Sequence, residues 1–311
     1  MSRGRVAVTG ATGFLGGHLV RALGDDGWDV RVLVRRDVGD LFAGQPVEVV
    51  RGALDQPEAL RRLCEGAAAV VHGAGLIKAR TRADFHEANA AGAGRVAEAA
   101  RDAAPGAAFV LVSSLAAREP QISHYAESKR AGETAVRAVL GDAITVARPP
   151  AIYGPGDVET LALFKAVAKS PVAPVLNPKA RIALIHVGDA ARQIATMAAG
   201  AVTGRTVTLS DARADGYRWT EIMTAAAGAV GRPARLIRVP EVLVRAAALG
   251  GGLVGALGGA PMITPGKARE LLHHDWSVAP EERWNERPEP RFGLESGFAD
   301  AVGWYRKKGW L

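Results

Sequence analysis

Tyr125 and Lys129 stand four residues apart in "SHYAESKRAGE" (123–133), a spacing that puts both side chains on one face of a helix. A free phenol, with a pKa of about 10, is a poor acid or base near neutrality. A lysine cation beside it favours the phenolate and makes proton transfer practicable. Just upstream, Ser113 and Ser114 close the apolar run "AAFVLVSS" (107–114). Together these residues suit one reaction. Tyr125 donates a proton to a carbonyl oxygen as a hydride arrives, or removes one from an alcohol in reverse, while Ser114, or its neighbour Ser113, hydrogen-bonds the same oxygen. Such residues also occur on ordinary solvated helices, so the reading requires a hydride carrier bound elsewhere in the chain.

That carrier has a candidate site in "VTGATGFLGGHLVRAL" (8–23). Gly10 permits a tight turn, Gly13 lets backbone approach a pyrophosphate, and Gly16 lets the following helix pack on the strand before it. The helix start then offers free N–H groups to the anion. Thr12, Phe14 and Leu15 complete this turn. The second strand ends in "WDVRVLVRRD" (28–37), with Val34 where an acid would bond a ribose 2′-hydroxyl, Arg35 and Arg36 next, and Asp37 arriving late. Two arginines there favour NADP(H), whose 2′-phosphate they would meet, with NAD(H) the alternative. Leu54, and Ala74 and Gly75 in "VVHGAG" (70–75), flank the adenosine half. Lys129 would also bond the nicotinamide ribose.

The elements that must position these residues alternate. Apolar runs fall near 5–9, 29–34, 47–50, 68–72, 107–112 and 143–147, with helix-like stretches near 14–24, 56–65, 83–103 and 124–140. This alternation predicts an α/β fold, a Rossmann-type doubly wound parallel sheet. Residues 1–150 read as the dinucleotide-binding core, with 181–203 returning to it, and 151–180 and 204–311 as a smaller C-terminal substrate lobe. The turn-rich "RPPAIYGPGD" (148–157) marks the departure from the sheet.

A chain of 311 residues that is 48% hydrophobic can bury a large core. Its single cysteine, Cys64, rules out a disulfide framework and a cysteine-rich metal site, and fits a reducing cytoplasmic setting. No secretory segment precedes the first strand. The net charge is +7, but the arginines are scattered and no nucleic-acid motif accompanies them, so the balance reads as a solvated basic surface plus a phosphate site. His72 reads as packed at a strand end, His186 as anchored to a neighbouring backbone group, and the pair His273–His274 as a surface turn, so no metal is expected. The stretch 246–266 carries no charge; its glycines and Pro261 weaken a lone helix, while Gly251, Gly255 and Gly259 recur every fourth residue. It reads as an apolar element beside the substrate or as a peripheral membrane contact.

"TGATGFLGG" (9–17), Tyr125-x-x-x-Lys129, "RPPAIYGPGD" and "LIHVGDAA" (184–191) together resemble the extended or atypical short-chain dehydrogenase/reductases, in the NAD-dependent epimerase/dehydratase branch. The resemblance covers most of residues 5–200. It implies Ser114 as the catalytic serine and Asn89, in "EANAAGAGR", as the asparagine beside the active site, although the threonine of that family segment is Ala93 here. It also implies that backbone around Pro149 and Ile152 holds the nicotinamide carboxamide. The family often forms dimers through paired helices, so a homodimer is expected from the resemblance alone.

The departures concern substrate. Sugar-nucleotide epimerases of this branch carry an asparagine where Ala151 stands, between Arg148 and Tyr153, and a longer Ser-to-Tyr interval. Losing a polar anchor weakens the grip on a polar ligand, and the uncharged 246–266 stretch would suit an apolar one. Ser114, Ala151 and Tyr153 are the expected substrate contacts. The resulting expectation is an oxidoreductase acting on a hydrophobic, lipid-like small molecule, similar to 3β-hydroxysteroid dehydrogenases and bacterial ceramide reductases, of 3-ketosteroid or 3-oxo-ceramide type. Two alternatives remain open. One is a nucleotide-sugar epimerase or reductase, its diphosphate held by tail arginines. The other is a non-catalytic dinucleotide-binding subunit, similar to the accessory subunit of respiratory complex I.

Overall fold

The structure, a computed structural model, describes residues 3–256 and 264–311, with only the backbone described for 251–256. Its strands are β1 (Arg5–Thr9), β2 (Asp29–Val34), β3 (Val47–Arg51), β4 (Ala69–His72), β5 (Ala108–Val112), β6 (Thr145–Arg148), β7 (Ala151–Tyr153), β8 (Val172–Val175), β9 (Arg181–Ile182), β10 (Leu184–His186), β11 (Thr206–Thr208), β12 (Arg235–Arg238) and β13 (Asp275–Trp276). The helices are α1 (Phe14–Asp25), α2 (Pro57–Cys64), α3 (Arg82–His86), α4 (Gly92–Ala103), α5 (His124–Leu140), α6 (Leu161–Lys169), α7 (Val187–Ala198), α8 (Trp219–Val230), α9 (Glu241–Ala256), α10 (Pro265–Leu272) and α11 (Leu294–Lys307).

Seven strands form one parallel sheet in the order β11-β6-β5-β4-β1-β2-β3. The central strands are apolar on both faces, as a sheet covered on both sides requires. One face, bearing Ala7, Leu33, Val70, Leu111 and Val146, is buried with Leu60, Leu63, Val96, Ala97 and Val136 of α2, α4 and α5. The predicted doubly wound sheet is therefore present.

The chain divides into two compact units: residues 1–149, 188–209 and 281–288 form one, and 150–187, 210–280 and 289–311 the other. The sequence-based boundaries differ at three places, each for a reason of pairing. Residues 181–187 fall in the second unit because β10 pairs with β7, and β9 with β13. The seventh strand of the main sheet is β11, from the segment read as substrate lobe, because Thr206–Thr208 pair with Val146–Arg148. The short return 281–288 belongs to the first unit because Glu282 is buried against Arg148 and Thr208. The second unit has its own core, where Phe164, Phe298, Tyr153 and Tyr305 pack among α6, α8 and α11.

The helix expected over 83–103 is broken into α3, a π-helical turn over Glu87–Ala91, and α4. Of the uncharged 246–266 stretch, the backbone is helical to Ala256; residues 257–263, including Gly259 and Pro261, lie outside the described residues. Among the described residues no helix is long and apolar enough to cross a membrane.

Candidate functional site

The first unit carries the glycine turn and the proton-transfer residues. Gly10 has φ +79°, a left-handed conformation that disfavours side chains, and a Cβ there would lie 2.6 Å from Ala74 N. A Cβ on Gly16 would lie 2.0 Å from Gly10 O. Backbone therefore meets backbone where the chain passes from β1 into α1. The helix begins after Gly13 with no side-chain cap and no acid in its first turn, so the positive end of its dipole is left for an anion. Thr12 and Gly13 are exposed, and Phe14 and Leu15 half-buried. These residues fit a dinucleotide pyrophosphate.

The neighbouring strand end is tied in. Thr9 Oγ1 lies 2.7 Å from His72 Nδ1 and accepts a hydrogen bond from Ala74 N at 3.2 Å. Burial, reinforced by the Lys129 charge, lowers His72 to about 3, so its ring is neutral and structural. This locks the turn Gly73–Gly75 against the glycine loop.

After β2, Arg35 and Arg36 are exposed, and no described residue forms an ion pair with either. Asp37 is engaged elsewhere: it accepts from Gly39 N at 3.1 Å and pairs with Arg51 at 2.6 Å, which hold its carboxyl below the usual range. A cavity of about 680 Å³ opens beside Arg36, Asp37 and Arg51, away from Tyr125 and Lys129. Leu54 packs against Gly92, and its carbonyl accepts from Arg95 Nε at 2.7 Å.

At the other side of the sheet, Ser123 caps α5 by accepting from Ala126 N at 3.1 Å. Tyr125, half-buried, and Lys129, buried, follow one turn apart. Lys129 Nζ donates to Val112 O at 2.9 Å, the last carbonyl of β5, so the ammonium is held at the strand end from which Ser113 and Ser114 continue. Burial lowers Lys129 to about 8, against an opposing pull from Glu133. The two serines part company, as successive residues at a strand end do. Ser113 is buried and donates to Glu133 Oε1 at 2.6 Å. Ser114 is half-buried and caps the short turn Leu115–Arg118 through Ala116 N.

Asn89 sits in the π turn, and its amide is used within the protein: Oδ1 accepts from Leu76 N at 2.7 Å, while Nδ2 donates to Leu76 O and Ser128 Oγ, both at 2.9 Å. It fixes the loop after Gly75 to α5. A Cβ on Gly75 would lie 2.6 Å from Asn89 Oδ1, and one on Gly132 would lie 2.3 Å from Asn89 O.

Sequence reading missed the buried charges under this site. Glu133 and Arg148 are each 4% exposed and form a two-pronged pair at 2.8 and 2.6 Å. Arg148 also donates to Glu282, whose other oxygen accepts from Thr208. Glu133 had a signal: it lies four residues beyond Lys129 on the same helix face, where a carboxylate needs a partner. Glu282, 134 residues from Arg148, had none.

Of the remaining expected residues, Pro149 is buried in the first unit and accepts from Leu115 N at 2.8 Å. In the second unit Ala151 is exposed and Ile152 half-buried. Tyr153 does not suit a substrate contact: it is fully buried, its ring edge-on to Phe298 at 4.9 Å and its hydroxyl donating to Gly293 O. His186 is held by the Asp300 carboxylate at 3.2 Å and stacks on Phe292.

A model of the NAD dependent epimerase/dehydratase family matches residues 6–209. The chain is 55% identical to a ceramide reductase of Caulobacter vibrioides, over all of this chain and 97% of that protein. It is 39% identical over 101 residues to a 4-hydroxy-2-methyl-3-oxo-4-farnesyl-3,4-dihydroquinoline-1-oxide ketoreductase of Stigmatella aurantiaca, covering 32% of this chain and 30% of that one. Among solved structures, a dTDP-glucose 4,6-dehydratase of Streptomyces venezuelae with NAD bound superposes with a TM-score of 0.72 at 22% identity, covering 99% of this chain and 98% of that one, and shares the fold.

The buried triad makes a direct demand on stability. Arg148→Met leaves Glu133 and Glu282 enclosed without their cation, and urea unfolding is expected to register a loss of about 3–5 kcal/mol. A change below ~1 kcal/mol would mean the pair is replaceable by packing alone.

Proposed function

The chain belongs to the NAD dependent epimerase/dehydratase family, and from that premise we propose an NADP(H)-dependent oxidoreductase that interconverts a carbonyl and an alcohol on a hydrophobic, lipid-like substrate of 3-oxo-ceramide type. The observation that carries the chemistry is Lys129, buried one turn from Tyr125 and bonded to the Val112 carbonyl, two residues before Ser114. Whole-length identity to a ceramide reductase supports the substrate class.

The glycine turn and the start of α1 would hold the pyrophosphate, Ala74, Gly75 and Leu54 the adenosine half, and Arg35 and Arg36 a 2′-phosphate. When bound, the dinucleotide supplies or accepts the hydride. Tyr125 gives its hydroxyl proton to the substrate oxygen, Ser114 hydrogen-bonds that oxygen, and the Lys129 ammonium stabilises the phenolate left behind. Asn89 holds the loop at Leu76 in place beside them.

The purified protein is expected to consume NADPH with a soluble short-chain 3-oxo-ceramide and not with a matched UDP-sugar. Tyr125→Phe should slow the reaction by about 10²-fold or more while leaving NADPH binding intact. Turnover of the UDP-sugar alone would overturn the substrate class, and dinucleotide binding with no turnover of either would return the non-catalytic reading.

Replacing Arg35 and Arg36 by Ser should raise KM for NADPH about 10–100-fold and leave NADH unaffected, because charged hydrogen bonds to the 2′-phosphate are lost. Equal changes for both cofactors would remove the arginines from that role.

The rate of reduction also has a pH signature. Lys129 is a cation below about 8 and loses its charge above it, so kcat/KM should be level near pH 7 and fall as the pH rises through about 8. Lys129→Arg keeps the charge and should move the fall upward; a fall that stays in place assigns it to another group.

A further inference from the structure

Helix α9 is apolar on both sides. Val244 and Ala248 are buried with Ala268 and Leu272 of α10, which accounts for one face. At 100° per residue, Leu243, Ala246, Val242 and Leu249 span an arc of roughly 120° centred opposite that face. Val242 is 69% exposed, Leu243 58% and Leu249 65%. A soluble helix ordinarily carries polar residues there, and three large aliphatic side chains gathered on one outward stripe mark a contact surface.

The charges around the helix select the partner. Glu241, the acid of its first turn, is neutralised by Arg245. Strand β12 leads into the helix and carries Arg235 and Arg238, both exposed and without an ion pair among the described residues. Between them Ile237 is 44% exposed, on the same strand face as Arg235 and opposite Pro174 of β8. An apolar stripe entered from a basic strand, in a chain of net charge +7, is complementary to an anionic apolar surface.

From this geometry we infer that the outward face of α9 docks on the surface of an anionic lipid bilayer, Val242, Leu243 and Leu249 entering the acyl boundary and Arg235 and Arg238 meeting the headgroups. The helix lies in the interface and does not cross it. The choice of a lipid partner over a protein one also rests on the proposed lipid-like substrate, which would be met at that surface.

The test is co-sedimentation of the full chain with phosphatidylglycerol-containing vesicles, against vesicles of phosphatidylcholine alone. Wild type should bind the anionic vesicles, weakly at high salt and little to the neutral ones. Leu243→Glu with Leu249→Glu should lower binding ~10-fold or more. Arg235→Glu with Arg238→Glu should abolish the preference for the anionic vesicles. Both variants should keep wild-type NADPH binding and thermal midpoint, since none of the four residues is buried. Wild-type protein left in the supernatant, or a Leu243/Leu249 variant that binds as well as wild type, overturns the inference. So does a dimer in solution that the same variant dissociates, which would give the face to a second copy. The assay uses no substrate: vesicle binding without keto-lipid turnover would leave the docking face standing and remove the substrate reading.

Discussion

Arg148 ends β6 with its guanidinium enclosed, and a cation so placed is tolerable only because Glu133 and Glu282 close on it from two sides. Much of the first unit follows from that requirement. Glu133 comes from α5, so the helix bearing Tyr125 and Lys129 is held at a set height against the sheet. Glu282 comes from the return 281–288 and also takes the Thr208 hydroxyl, which ties the edge strand β11 and a distant segment to the same point. Glu133 further takes the Ser113 hydroxyl, and this commits one of the two strand-end serines to structure. Exclusion of water makes the arrangement stiff, because each polar atom of the group has its partner inside and none to exchange with outside.

A second constraint is close approach of backbone to backbone. Gly132 lets α5 press on the carbonyl of Asn89, and the π turn that carries Asn89 directs its amide both to Leu76 and to Ser128. One inserted residue in a helix thus joins the loop after β4 to the helix that carries the tyrosine. π turns of this kind recur at functional sites because they re-aim one side chain without breaking the helix on either side. Gly10 and Gly16 do the corresponding work where β1 passes into α1, since a methyl group on either would collide with main chain.

What could be read in advance follows the range of the interactions. The six strands from β1 to β6, the glycine turn and the Tyr–Lys pair depend on patterns within a few residues, and each is visible as a run or a spacing. The seventh strand was missed because Thr206–Thr208 is three residues long and has no pattern of its own; only pairing with β6 makes it a strand. The π turn was hidden inside a continuous helical pattern from 83 to 103. Tyr153 looked like a ligand contact from its place in a family motif, yet Phe298 and Gly297 of α11, 144 or more residues further on, enclose it. Glu282 is the extreme case: nothing near it in the chain distinguishes it from an ordinary surface glutamate, and its buried partners, Arg148 and Thr208, lie 74 or more residues away.

The same buried triad bears on the charge of Lys129. Taken alone, a carboxylate one turn along the helix would keep a lysine firmly cationic, and burial alone would drive it towards neutrality. In this protein Glu133 does raise Lys129, but burial prevails and the ammonium settles at about 8. Glu133 is itself shared, both its oxygens facing the Arg148 guanidinium. His72, which would add a second positive charge nearby, is kept neutral by its own burial. Lys129 is thereby left charged at neutral pH but only narrowly so, close to the range where small changes around it alter how strongly it steadies a phenolate. Glu133, held by an arginine on the neighbouring strand, is thus one of the two influences that set the charge of Lys129, burial being the larger.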